Sequence, residues 1–235
     1  MKRILLALTM SAFVAGGAFA QIPLSVGVGG MFTSDFGGGI EISAWGGGSV
    51  GITETSPYFG GGGFVFLDMF FAQLSLGFFG AGGTDVWSSG DLSLDLWDQS
   101  LVGMDIGLMG KFPIAVSPQM TVFPLLGIVY RLVLSGSRSG SFDDLSWSVD
   151  FGDEGMPDAS DFNALWFRLG GGLDFSFNQN MFLRTTLTYG IRLANNFEND
   201  RVSETERDFS GTDVSVSTRL GHGLDFTVGI GFRLN

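Results

Sequence analysis

Apolar and polar residues alternate one by one along most of this chain. A period of two commits a segment to a β-strand with one greasy face and one polar face. Leu24, Val26 and Val28 alternate with Ser25, Gly27 and Gly29. Val102, Met104, Ile106 and Leu108 alternate with Gly103, Asp105, Gly107 and Met109. Val122, Leu126, Ile128, Tyr130 and Leu132 face one way, with Thr121, Gly127 and Arg131 opposite. Leu165, Phe167, Leu169, Leu173 and Phe175 oppose Trp166, Arg168, Gly170 and Asp174. Leu183, Leu187, Tyr189 and Ile191 oppose Arg184, Thr186, Thr188 and Arg192. The last run sets Leu224, Phe226, Val228, Ile230, Phe232 and Leu234 against Asp225, Thr227, Gly229, Gly231 and Arg233.

One stretch, Phe64 to Gly83, has the length of a membrane-crossing helix. Asp68, Gln73, its glycines and its Phe run suit a helix poorly. It reads instead as a hairpin, with Phe64 and Phe66 leading into a polar turn at Leu67-Asp68-Met69. In its second strand Ala72, Leu74, Leu76 and Phe78 alternate with Gln73, Ser75, Gly77 and Phe79. The strands then number eight. Short connections fall around 68, 113–119 and 176–180, and long polar ones at 35–57, 81–99, 135–163 and 195–213. Strict long–short alternation puts every long loop at one end and both termini at the other.

The orientation of the faces follows from charge. Asp105, Lys111, Arg131, Arg168, Asp174, Arg184, Arg192, Asp225 and Arg233 all lie on the polar face. Against lipid, each such charge would cost about 2–4 kcal/mol at mid-bilayer, whereas inside a narrow barrel they pair. The Leu, Phe, Val and Ile face then meets acyl chains, and closure removes the strand edges that a bilayer does not tolerate. The expected fold is all-β: a transmembrane antiparallel up-and-down β-barrel of eight strands, with four long extracellular loops and short periplasmic turns.

Composition agrees. Charged residues make up only 15% of the 235 residues, with 38 Gly and 24 Phe, unlike a soluble enzyme. There is no Cys, which excludes a disulfide-stapled module. Lys2 and Arg3, the apolar run Ile4 to Val14 and Ala18-Phe19-Ala20 form a secretory signal peptide over residues 1–20, leaving 21–235 as the barrel. The remaining ten basic residues face 24 acidic ones, which argues against a nucleic-acid partner.

The final strand, Thr227-Val228-Gly229-Ile230-Gly231-Phe232-Arg233-Leu234, matches the polar-x-Gly-x-x-apolar-x-apolar signal read by the outer-membrane barrel assembly machinery, with Thr227, Gly229, Phe232 and Leu234 at its key positions. With the leader and the eight-strand pattern, the chain resembles small bacterial outer-membrane barrels of the OmpX/OmpW/OmpA-barrel type. Many of these end in Phe; this chain ends Leu234-Asn235, as in lineages with another terminal preference, spirochaetal barrels among them. The resemblance implies the cell outer membrane, with outer-membrane lipid and the assembly machinery as partners.

Eight strands leave a lumen just wide enough for side chains, so the Arg/Asp face reads as a charge network filling the barrel. Gly61, Gly63, Gly77, Gly103, Gly107, Gly127 and Gly170 are assigned to the same inner face. The long loops hold 20 acidic residues against Arg138, Arg201 and Arg207, with Asp150, Asp153, Glu154, Asp158 and Asp161 the densest group. That spacing is not an EF-hand, and neither a metal nor a cofactor is expected. All five Trp (Trp45, Trp87, Trp97, Trp147, Trp166) lie in or beside the long loops; an interfacial girdle accounts for some, while Trp97 and Trp147 either pack within their loops, the favoured reading, or are candidate anchors for a host or surface ligand. His222, the only His, sits on the lipid-facing register without a matched Ser or acid, so no catalytic residue is assigned. The expected role is a structural or surface-interaction barrel. A narrow channel for small or apolar solutes is the alternative, and a lipid-modifying enzyme is the third.

Overall fold

In the computed structural model the described residues are 24–44, 49–52, 57–69, 71–89, 92–142, 145–153, 158–195 and 214–234. They form strands β1 (Leu24–Ala44), β2 (Ser49–Ile52), β3 (Tyr58–Met69), β4 (Ala72–Ser89), β5 (Leu92–Lys111), β6 (Ile114–Ala115), β7 (Met120–Phe142), β8 (Leu145–Asp150), β9 (Ala164–Ser176), β10 (Met181–Asn195) and β11 (Val214–Leu234). A 3-10 turn spans Ala159–Phe162. Among the described residues no helix is long and apolar enough to cross a membrane.

Eight of these strands close a ring. β1 pairs with β3, and the antiparallel order runs on through β4, β5, β7, β9, β10 and β11. β11 then returns to β1 in one unbroken register from Leu24↔Leu234 to Ala44↔Val214. Each neighbour in the ring is also the next long strand in sequence, which is the up-and-down barrel. Closure at the β1–β11 seam leaves no lone edge within the wall. Leu24 also pairs with Met69, so the seam's ends and the β3–β4 turn share one end of the barrel.

The eight strands differ in length. β3, β9 and β10 have 12, 13 and 15 residues, close to the 9–11 that a tilted strand needs to span hydrocarbon. β1, β4, β5, β7 and β11 have 18 to 23, and their surplus rises beyond the long-loop end as continued sheet. The connection expected over 81–99 is therefore mostly strand, since β4 and β5 stay paired from Gly82↔Ser100 to Ser89↔Leu92. Likewise β7 runs to Phe142 and β8 folds back along it, with Trp147 opposite Gly140. β2 bridges β1 to β4 through Ile42↔Val50 and Gly51↔Ser88.

The exterior is a nearly unbroken apolar band. On β11 every outward position from Leu220 to Leu234 except His222 is an exposed Leu, Phe, Val or Ile. Val28, Val65, Phe78, Leu108, Leu126, Leu169 and Leu187 continue it around the ring. With a buried ionised interior, this surface is that of a membrane-spanning barrel.

Two sequence assignments are corrected here. β3 reaches Met69, so Asp68 is a strand residue pointing inward, buried, and the turn lies beyond it. Phe64 and Phe66 are buried inside while Val65 is exposed, so in β3 the even positions face the lumen. Gly60 and Gly62 thus share the inner face with Phe64, and Gly61 and Gly63 lie on the outer one. At Gly62 a Cβ would fall on the carbonyl oxygen of Phe78, which only glycine permits.

Candidate functional site

The lumen is filled in layers. Nearest the short turns, Arg184 is fully buried and donates from Nε and Nη2 to the two carboxylate oxygens of Asp174, each at 2.7 Å. Its Nη2 also reaches Asp68 at 2.7 Å, and its Nη1 donates to Gln73 Oε1 at 3.0 Å. Lys111 closes the group, with Nζ 2.5 Å from Asp68 and 3.6 Å from Asp174. The guanidinium lies 4.5, 5.0 and 5.1 Å from the ring centres of Phe66, Phe123 and Phe182. Aromatic faces thus replace part of the hydration that the cation loses. Below this layer Arg233 donates to Ser176 Oγ at 2.7 Å and to the carbonyl of Gln179 at 3.1 Å, tying the last strand to the β9–β10 turn.

The second ionic layer lies nearer the long loops. Arg131 holds Asp105 in a fork, Nε to Oδ1 at 2.8 Å and Nη2 to Oδ2 at 2.9 Å, and its Nη1 pairs with Asp35. Arg168 pairs with Asp225. Arg192 lines the same cavity as Asp35 and Arg131. Arg131 packs over Phe79 at 4.4 Å, and Trp166, buried to 1% exposure, sits between Arg131 and Arg168 at 5.6 and 5.5 Å.

Among the described residues each layer is electrically balanced: Lys111 and Arg184 against Asp68 and Asp174, then Arg131, Arg168 and Arg192 against Asp35, Asp105 and Asp225. Buried charges in this medium persist only when paired and hydrogen-bonded. Between the layers lies a cavity of about 70 Å³ walled by Met31, Phe64, Met109 and Val129 on one side and by Thr186, Thr188 and Thr227 on the other. A second cavity of about 60 Å³ lies above Arg131 and Trp166.

The outer mouth is closed by Arg138. It is buried, donates from Nε to Gln99 Oε1 at 2.9 Å, and lies over Trp97 at 4.9 Å and over Phe151 and Phe162 at 5.8 Å each. Phe151 and Phe162 stack on each other at 4.7 Å, and Asn163 Oδ1 accepts from the backbone N–H of Val133 at 2.9 Å. The segment after β8 is thereby drawn over the opening.

The nine charged residues assigned to the inner face are all placed there, with Arg192 and Arg233 half-buried and the others buried. Several partners lie outside that assignment. Asp35 and Arg138, read as solvated loop charges, are interior groups. Asp68, read as a turn residue, is a ligand of Arg184. Trp166, on the polar register of its strand with Arg168, is a lumenal plug. Phe66, Phe123 and Phe182 complete the set, and the available signal was that they share strand parity with the inward charges Asp68, Arg131 and Arg184.

The loop residues divide. Trp97 lies under Arg138, whereas Trp147 is exposed and lies over Gly140. Asp150 and Asp153 close a local turn, the backbone N–H of Asp150 donating to Asp153 Oδ2 at 3.3 Å. Glu154, residues 1–20 and the side chains of Trp45 and Trp87 lie outside the described residues. Among the described residues no group of His, Asp and Glu gathers as a metal site would. In the final strand Thr227 shares a 2.6 Å hydroxyl contact with Thr186 and Gly229 sits inside beside Phe64, while Phe232 and Leu234 face outward. His222 is half-buried on the outer face, with Nδ1 2.5 Å from the Tyr189 hydroxyl.

No protein-family model and no curated protein matches the chain. Solved structures similar to it include the outer membrane protein OprG from Pseudomonas aeruginosa, with 13% identity, 91% of this chain and 97% of that chain covered, and a TM-score of 0.46. The attachment invasion locus protein Ail of Yersinia pestis has 13% identity, coverage of 91% and 99%, and a TM-score of 0.32. Neisserial surface protein A has 11% identity, coverage of 87% and 97%, and a TM-score of 0.35. Such distant likenesses reach no further than the fold, and the barrel rests on the chain's own pairing. By its closed ring, apolar exterior and ionised core, the chain is an eight-stranded transmembrane β-barrel of the outer-membrane type.

Proposed function

We propose that this protein is a plugged barrel of the cell outer membrane, a structural scaffold that carries an acidic surface for interaction at its long-loop end. The observation that carries this reading is the pair of balanced ionic layers. Arg184 and Arg131 are each held by at least two carboxylates and backed by aromatic rings, so a permeating solute would have to break paired, buried charges. A cavity of about 70 Å³ lies between the two layers and one of about 60 Å³ above Arg131, each walled off by these paired charges.

The tall wall made by β1, β4, β5, β7 and β11 supports the second half of the reading. Its strands extend past the barrel rim, and Trp147 is exposed on β8, which pairs with it. The natural partners in this reading are outer-membrane lipid, the assembly machinery acting on the Thr227–Leu234 strand, and a host or surface ligand met by the loops. Planar-bilayer recording of the refolded protein tests it. No unitary conductance is expected, and steady ohmic openings in symmetric salt would overturn the plugged reading in favour of a narrow channel.

A further inference from the structure

The outward stripe of β11 contains one interruption, His222, and it lies near the outer end of the apolar band, with Leu220 beyond it. Three rings stand in a row across three adjacent strands there. Phe36 of β1 and Tyr189 of β10 flank His222, with ring centres 6.3 and 5.8 Å away and planes within 27° and 22°. Tyr189 satisfies Nδ1 at 2.5 Å, and among the described residues no group bonds Nε2. Of the charged residues on these three strands, those whose side chains are described, Asp35, Arg184, Arg192, Asp225 and Arg233, point to the lumen or to its lower rim. The imidazole edge therefore faces the membrane with no protein group to answer it, and polar groups in contact with hydrocarbon must be paired.

We propose that His222 is a docking point for the phosphate of an outer-leaflet lipid. In this site the Tyr189 hydroxyl is paired with Nδ1, and Nε2–H donates to a phosphate oxygen at the headgroup boundary. Phe36 and Tyr189 hold the ring edge-outward by packing on its two sides. The inference depends on the outward orientation of the apolar face and is independent of whether the lumen conducts, so the conductance result leaves it untouched.

Because the chain has one His, selective 15N-histidine labelling reports on a single site. The protein is refolded into nanodiscs of three kinds: phosphatidylglycerol, a phosphate-free galactolipid, and that galactolipid with inorganic phosphate in the buffer. A 15N–31P dipolar contact at Nε2 is expected in the first alone. Its absence there overturns the proposal, and a contact of equal strength in the third overturns the lipid as the source. Native mass spectrometry then counts retained phosphatidylglycerol, with folding checked by the heat-dependent gel shift. His222→Phe and Tyr189→Phe should each lower retention several-fold while the barrel stays folded; unchanged retention in both overturns the site.

Discussion

Arg184 and Asp174 stand opposite each other on adjacent strands, and both oxygens of the carboxylate are taken by one guanidinium at 2.7 Å. Ten residues apart in sequence, they form the fork around which Asp68, Gln73 and Lys111 assemble. Replacing Arg184 by Met removes the fork and leaves Asp174 and Asp68 to Lys111 alone. A buried pair broken from one side costs about 3–5 kcal/mol, and Arg184→Met should lose that much in urea unfolding from detergent or bilayer. Adding Asp174→Leu to Arg184→Met should restore part of it, because the abandoned carboxylate goes too. A single-variant loss below about 1 kcal/mol would show the layer to be solvated rather than structural.

Gly62 of β3 and Gly30 of β1 give a prediction that depends on the face each occupies. A Cβ at Gly62 would strike the Phe78 carbonyl, whereas at Gly30 on the outer face the nearest atom, Gly62 O, is 3.9 Å away. Gly62→Ala should destabilise by about 1–3 kcal/mol or block refolding, and Gly30→Ala should be neutral. Comparing folded yield and unfolding midpoint of the two variants checks it; equal behaviour would mean the β3 register is wrong.

Much of this architecture was legible from alternation. In β9, β10 and β11 one face is mainly Leu, Ile, Val and Phe and the other carries the Arg and Asp residues, so the inward side is unambiguous. In β3 the signal fails for a physical reason. Gly60 to Gly63 have no side chains to mark a face, and Phe64 to Leu67 are apolar on both. Aromatics enter the lumen there because they cover arginines, a requirement set by Arg184 of β10, 118 positions after Phe66. Asp35 and Arg138 were hidden differently. Each lies past the point where a bilayer-length strand would end, and only the long extensions of β1 and β7 bring them inward. The Asp35–Arg131 pair joins residues 96 apart, a contact that no local spacing announces.

The outward band makes a prediction about depth. Leu187 and Phe226 are register partners midway along the exposed stripe of β11, and Leu234 ends it. Leu187→Arg should cost about 2–4 kcal/mol in bilayer and Leu234→Arg about 0–1. Unfolding in phosphatidylcholine vesicles measures both. Equal costs would place the membrane elsewhere on the barrel.

The last prediction concerns the mouth. Arg138 lies against Trp97 of β5 and against Phe151 and Phe162 of the segment after β8, so it fastens that segment to the wall. Desolvated cation–π contacts of this kind contribute about 0.5–2 kcal/mol, and the Gln99 hydrogen bond adds a similar amount. Arg138→Met keeps the bulk and loses both. The stack of Phe151 on Phe162, the Asn163–Val133 bond and the Phe151 N–H bond to the Gly136 carbonyl would remain. Local opening sets amide exchange where the closing equilibrium is fast. Peptides covering 150–163 should therefore exchange roughly 5–30-fold faster in Arg138→Met than in the parent, while those of β9 to β11 keep their protection. If 150–163 exchanges at the parent rate, the mouth is held by something other than Arg138, and the closure assigned to it fails.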